Sequence, residues 1–245
     1  MPEYDYYNRG FYSKVDGFIK YKYLRVSMKY NKTLGGYVEK KYWNISDLMR
    51  AGITFKKHSV SFGVGEHEFE FPDSANSITV HLISGGGSGS AHIHESNTDQ
   101  IWRTTTPAKD SELYINGKAV TTCGAGGSGY LDPYDRNARK YGTGGKASGF
   151  GILIQGRAST SSYGAILLNN ITLAIGGDGG DAGTNGAGGG SGSAAIVEIT
   201  RAMLEGSKKI KILVGAGGKP GTGYILKGGK AGKDGSAVVE YFSRG

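Results

Sequence analysis

The chain has 245 residues, 44 of them glycine, with 38% hydrophobic and 20% charged side chains and a formal net charge of +8. That length can bury a proper core and hold one or two domains. A single cysteine, Cys123, excludes an internal disulfide, five histidines with that one cysteine leave no zinc-finger pattern, and no apolar run approaches the ~20 residues that span a bilayer.

The opening, MPEYDYYN, lacks the basic-then-apolar pattern of a secretory signal. Residues 1–60 hold 12 Lys+Arg against 5 Asp+Glu and nine of the 16 tyrosines, whereas residues 61–245 hold 17 against 16. Basic residues interleaved with aromatics fit nucleic acid, with Lys and Arg on phosphates and Tyr on bases. They equally fit a solvated strand surface whose tyrosines pack a small core, and we adopt that reading, with no nucleic-acid partner. The composition break divides the chain at 1–56 and 57–245.

In chain order, residues 1–17 read as a tyrosine-rich arm. FIKYKYLRVSMKY (18–30) alternates apolar and basic residues as a half-buried strand does, Leu34-Gly35-Gly36 turns, and YVEKKYW (37–43) returns. Ser46 is placed to cap a short helix over 47–50, ended by Gly52. Strands follow in ITFKKHSVSF and GEHEFEF, then a Pro72-Asp73 turn. Further apolar strands are expected at 78–83, 150–154, 194–199, 210–214 and 237–242, and YINGKAV (114–120) reads as a hairpin turning at Asn116-Gly117.

Glycine-rich runs separate these strands. In GDGGDAGTNGAGGGSG (177–192) glycine falls at 177, 180, 183, 186, 189 and 192, and the step of three recurs at 215, 218, 221 and at 229, 232, 235. Three residues per turn is the period of polyproline II, which makes no internal hydrogen bonds and must bond to neighbours or water. A flexible Gly/Ser linker would not alternate with apolar strands, and five prolines are too few for collagen. The expected fold is mainly β: short antiparallel strands with a sandwich of packed polyglycine (polyproline II) helices, after a small β-rich module.

FPDSANSITVHLISGGGSGS has a proline, a short turn, a strand and a glycine run. YINGKAVTTCGAGGSG has a strand, an Asn-Gly turn and a second run, and KKIKILVGAGGKPGTG with GKAGKDGSAVVEYF closes the chain. In this order the motifs resemble the glycine-rich domain of bacteriophage tail-fibre proteins, over about residues 57–243, and residues 1–56 carry no matching motif. The resemblance implies a receptor-binding tip or distal tail-fibre adhesin. Its rigid polyglycine platform would carry loops that touch an outer-membrane protein or a surface glycan. It further implies a virion protein of the fibre tip, assembled in the host cytoplasm, alone or on a trimeric fibre. Another tail-fibre protein would then be held by residues 1–56. The alternative is a structural tail, baseplate or capsid-fibre component that binds no receptor. An ice binder is disfavoured by the irregular charged loops.

Enzymatic chemistry finds little footing. VGAGGKPG fails as a phosphate loop, because Leu213 and Pro220 stand where Gly and Ser or Thr are required, and Pro220 also breaks the dinucleotide pattern. His92 and His94 would share a face of a strand, and resembling fibres place such pairs around a metal on a trimer axis. We read them as surface histidines, with no metal and no cofactor expected. The acidic residues Asp73, Asp110, Asp178, Asp181 and Asp234 read as turn residues, not paired catalytic carboxylates. No enzyme is expected.

The candidate receptor-binding residues are Tyr130, Tyr134, Arg136, Arg139 and Tyr141, in the insertion 130–141, with Trp102, His92 and His94 in 92–103. Tyr and Arg supply large contact area and directional hydrogen bonds. Residues 159–163 and 224–227 are third and fourth candidates.

Overall fold

A computed structural model describes residues 4–6, 24–31, 36–43, 55–90, 106–131, 139–168, 172–182, 186–220 and 229–244. The chain forms two compact units, Met1–Lys56 with Arg244–Gly245, and Lys57–Ser243.

The first unit contains an antiparallel sheet in the order β1 (Tyr4–Tyr6), β2 (Leu24–Asn31), β3 (Gly36–Trp43). Its register pairs Tyr30 with Tyr37 and Leu24 with Trp43, as expected of a strand and its return, while Leu34 and Gly35 of the expected turn lie outside the described residues and Gly36 already belongs to β3. The helix expected at 47–50 and the strand residues 18–23 lie outside the described residues.

The second unit is built on two antiparallel sheets of five strands. One has the order β12 (Ile152–Ile154), β13 (Ala194–Thr200), β6 (Ser77–Ile83), β15 (Ser236–Arg244), β4 (Phe55–Phe62). The other runs β11 (Ala147–Gly149), β8 (Lys118–Cys123), β7 (Ser111–Ile115), β14 (Lys209–Val214), β5 (Gly65–Glu70). The β7–β8 hairpin turns at Asn116 (φ 51°) and Gly117 (φ 75°) as expected. Both central residues are left-handed, the signature of a two-residue type I′ loop, which Asn-Gly tolerates.

Alternation along the strands supplies the core. Ile78, Val80 and Leu82 of β6, Val197 and Ile199 of β13, and Val239 of β15 join Leu113 of β7 and Ile210, Ile212 and Val214 of β14 in one buried cluster. Both sheets contribute to it. Burying such a side chain is worth about 1.5–3 kcal/mol. Cys123 lies in this core, and burial, helped by Asp110, pushes its thiol up to about 12, so it stays protonated.

Between β13 and β14 the chain makes a single 3-10 turn, Arg201–Leu204, where sequence reading placed nothing but a link between strands. Leu204 is buried there, and Glu205 closes the turn in a left-handed conformation. Arg201 sits 4.9 Å over the Phe71 ring and donates to the carbonyls of Pro72 and Ala75, clamping the Pro-Asp turn.

Candidate recognition end

Among the described residues the glycine-rich runs form neither α-helix nor sheet strand; their backbone groups bond across to other runs. Run 84–90 exchanges bonds with 106–110 (Gly85 N–H to Lys109 O, 3.2 Å), 124–129 (Gly126 N–H to Gly85 O, 2.9 Å) and 177–182 (Gly180 N–H to Gly87 O, 2.8 Å). It also bonds 187–193 (Gly87 N–H to Gly190 O, 2.9 Å), 215–219 (Gly218 N–H to Gly86 O, 2.9 Å) and 230–235 (Gly86 N–H to Lys233 O, 2.9 Å). Run 187–193 is enclosed in the same way, receiving or giving bonds to 84–90, 124–129, 142–145, 156–159, 161–165 and 177–182. A backbone buried this deeply has no water, so every N–H and C=O needs a neighbour, and the neighbour is another backbone.

Such close approach leaves no room for side chains. A Cβ on Gly87 would fall on the Gly127 carbonyl, and one on Gly189 on the Gly87 carbonyl. Serine is admitted within the runs because its hydroxyl doubles as a backbone partner. Ser90 Oγ accepts from Ala187 N–H (2.7 Å), Ser191 Oγ from Arg157 N–H (2.8 Å), and Ser84 Oγ from Ser193 N–H (3.0 Å).

The aspartates of these runs are braces between runs. Asp178 accepts Leu167 N–H (2.8 Å) and binds Lys233 Nζ (2.8 Å), and Asp181, three residues on, repeats the pattern with Gly164 N–H (3.0 Å) and Lys230 Nζ (3.0 Å). Asp234 accepts Gly217 N–H (2.7 Å), and Asp110 accepts Ala125 N–H (2.7 Å). Of the five aspartates read as turn residues, only Asp73 lies in a hydrogen-bonded turn. The Gly164 amide and Lys230 together hold the Asp181 carboxyl below its ordinary value, and Asp178 raises Lys233 above its own.

Six of the runs join a strand at the same end. At that end lie Ser84 after β6, Asp110 before β7, Gly124 after β8, Ser193 before β13, Gly215 after β14 and Gly235 before β15. The bonds fix the levels of the other ends: Ser90 meets Ala187, Gly129 meets Ser88, Ala182 meets Ser162, Lys219 meets Thr106, and Lys230 meets Gly89. The connections 91–105, 130–141, 160–163, 183–185 and 220–229 therefore all leave from one end, opposite the sheets.

Of the residues expected to bind, Tyr130, Arg139 and Tyr141 lie at this end and are exposed. Tyr134, Arg136, Trp102, His92 and His94 lie outside the described residues, as do 224–227. The insertion 130–141 is based on a two-stranded ribbon, β9 (Tyr130–Leu131) with β10 (Arg139–Lys140). Its register sets Tyr130 opposite Lys140 and Leu131 opposite Arg139, so Tyr130 and Arg139 belong to opposite faces. Lys140, passed over in the sequence, is the cross-strand partner of Tyr130. The turn at 159–163 is also here. Ser159 Oγ donates to the carbonyls of Tyr163 (2.7 Å) and Ser161 (2.9 Å), and the turn holds Tyr163 out at 73% exposure.

A second polar group sits on the outer face of the β6 sheet. His81 is buried; its Nδ1 accepts Leu173 N–H (3.2 Å), which places the proton on Nε2, 3.4 Å from Glu240 Oε2. That contact is electrostatic, since Nε2 has no aligned hydrogen-bond partner. Glu240 in turn binds Lys57 Nζ at 2.5 Å. Burial holds the His81 pKa below its ordinary value, against the pull of Glu240. With its one lone pair taken by a backbone amide, this imidazole is an anchor for the chain above it and no free base.

No model of a known protein family matches the chain, and no curated protein is similar enough to count as a relative.

Proposed function

We propose that the chain is the tip adhesin of a bacteriophage tail fibre, which binds a bacterial surface receptor through loops carried on a rigid scaffold. The carrying observation is the common end from which the connections leave, far from the sheets, with Tyr130, Arg139, Lys140, Tyr141 and Tyr163 exposed around it. Loops on a stiff frame divide recognition from support. Tyrosine adds area at low entropic cost and the cations add polar contacts.

In this reading the runs are a sandwich of polyglycine helices in the polyproline II conformation. A step of three between glycines, bonds that join one run to another, and neighbours all round a central run are what that conformation requires. The receptor is an outer-membrane protein or a surface glycan, and Tyr134, Arg136, Trp102, His92 and His94 belong to the contact with it. Residues 1–56 attach the tip to another fibre protein. Neither catalysis nor a cofactor enters.

The test is binding of the labelled full chain to whole cells across a panel of bacteria, with residues 130–141 intact or replaced by a short linker. Saturable binding to a few strains, lost with the insertion, supports the adhesin. A folded protein that binds no strain moves the reading to a structural virion component.

A further inference from the structure

Residues 147–177 carry a single charge, Arg157, while the other 214 residues hold 49 of the chain's 50 charged side chains. Residues 147–168 and 172–177 build one flank of the second unit. β12 is an edge strand of its sheet, and the strap to either side of residues 169–171 lies on that sheet's outer face. Leu167 and Ala174 face inward and pack with Ile83, Ala194, Val238 and Ile154. Their neighbours face out: Ile166, Leu168, Leu173 and Ile175 are 62%, 64%, 50% and 82% exposed, and Ile152 of β12 is 57% exposed. Bonds from Leu173 N–H to His81, and between Ile175 and Ser236 Oγ in both directions (2.9 and 2.6 Å), hold the strap in this pose.

Five such side chains open on the order of 500–600 Å² of apolar surface, the top of the range that monomers leave exposed. With the surrounding backbone this approaches the ~800 Å² that one partner gives a standard interface. We propose that this flank is the contact between two copies of the chain about a two-fold axis. A two-fold contact lays each patch on its own image, so a charge near the axis would meet its own copy. The five exposed side chains are all uncharged, so pairing them with their copies buries no unpaired ion. β12 and the strap also lack the lysines and prolines that keep an edge strand single.

Sedimentation equilibrium of the full chain over roughly 1–200 μM, where an interface of this size associates, tests the proposal. The expected result is a monomer–dimer equilibrium that holds or tightens as salt is raised, because salt screens the repulsion between like-charged bodies and breaks no ion pair here. Ile166→Lys with Ile175→Lys should weaken association at least about tenfold without moving the thermal midpoint, since both positions are exposed. Val64→Lys, at the exposed β4–β5 turn, should leave the dimer intact. A chain that is monomeric throughout, a trimer, a dimer that dissolves with salt, or one that survives the paired lysines would each overturn it.

Discussion

At the scale of single residues the glycines divide into those that space requires and those it does not. Gly189 lies against the backbone of Gly87 and Ser88, and neither can give way without breaking bonds to other runs. Gly189→Ala is therefore expected to cost more than about 3 kcal/mol or to prevent folding, read as the urea midpoint. Gly63 has nothing within 4 Å of where its Cβ would stand, and Gly63→Ala should stay within ~0.5 kcal/mol of wild type. Equal losses at the two sites would mean that the runs are not packed backbone to backbone. His81 supplies the residue-scale pH dependence. Its folded pKa lies below its unfolded one, so the unfolded chain binds the extra proton first. The contribution is complete above the ordinary histidine value of about 6.5 and is lost as pH falls through the folded value. The urea midpoint of wild type should thus fall on acidification more steeply than that of His81→Gln, whose amide oxygen accepts Leu173 N–H at any pH. Parallel curves would remove His81 as the cause.

At the scale of elements the runs are held by hydrogen bonds where the sheets are held by apolar packing. Ordering glycine costs more backbone entropy than ordering any other residue, and each bond returns a net of only about 1 kcal/mol. Charged braces therefore matter more than their surface position implies. Asp181→Ala orphans Gly164 N–H and frees Lys230, and a loss of about 1–3 kcal/mol is expected. Asp181→Asn keeps the amide's acceptor and should recover most of it. If Asn is as damaging as Ala, the Lys230 pair outweighs the Gly164 bond. Because the Asp181 pKa is depressed in the fold, its share persists above the ordinary carboxylate value and disappears as pH falls through the lowered one. The strands themselves were legible: short apolar segments between the glycine runs located β6, β13, β14 and β15 within a residue or two, and Asn116-Gly117 located the β7–β8 turn. The 3-10 turn at Arg201–Leu204 was not, because its role, an arginine clamp on a turn more than a hundred residues earlier, has no local pattern.

At the scale of the whole molecule, the core joining both sheets belongs entirely to the second unit. A fragment spanning residues 54–245 should melt cooperatively, within a few degrees of the full chain. A broad, non-cooperative melt would mean that the first unit completes the second. The excess of basic and tyrosine residues falls within residues 1–60.

What the sequence determined by itself was local. Period two marked the strands, period three marked runs that must bond outward, and the lone cysteine ruled out a disulfide. It did not determine which run lies beside which, because glycine has no side chain to encode a partner and one G-x-x-G step is like another. That choice fell to the order of strands in the two sheets, which delivers each run to its place, and to the Asp178–Lys233 and Asp181–Lys230 pairs, which join residues about fifty apart. Only then do the connections gather at one end, with Tyr130 opposite Lys140 and Tyr163 beside the run at 182. Hydrogen bonds between backbones are specific in geometry and blind to sequence, so this level of the structure is decided by tertiary contact.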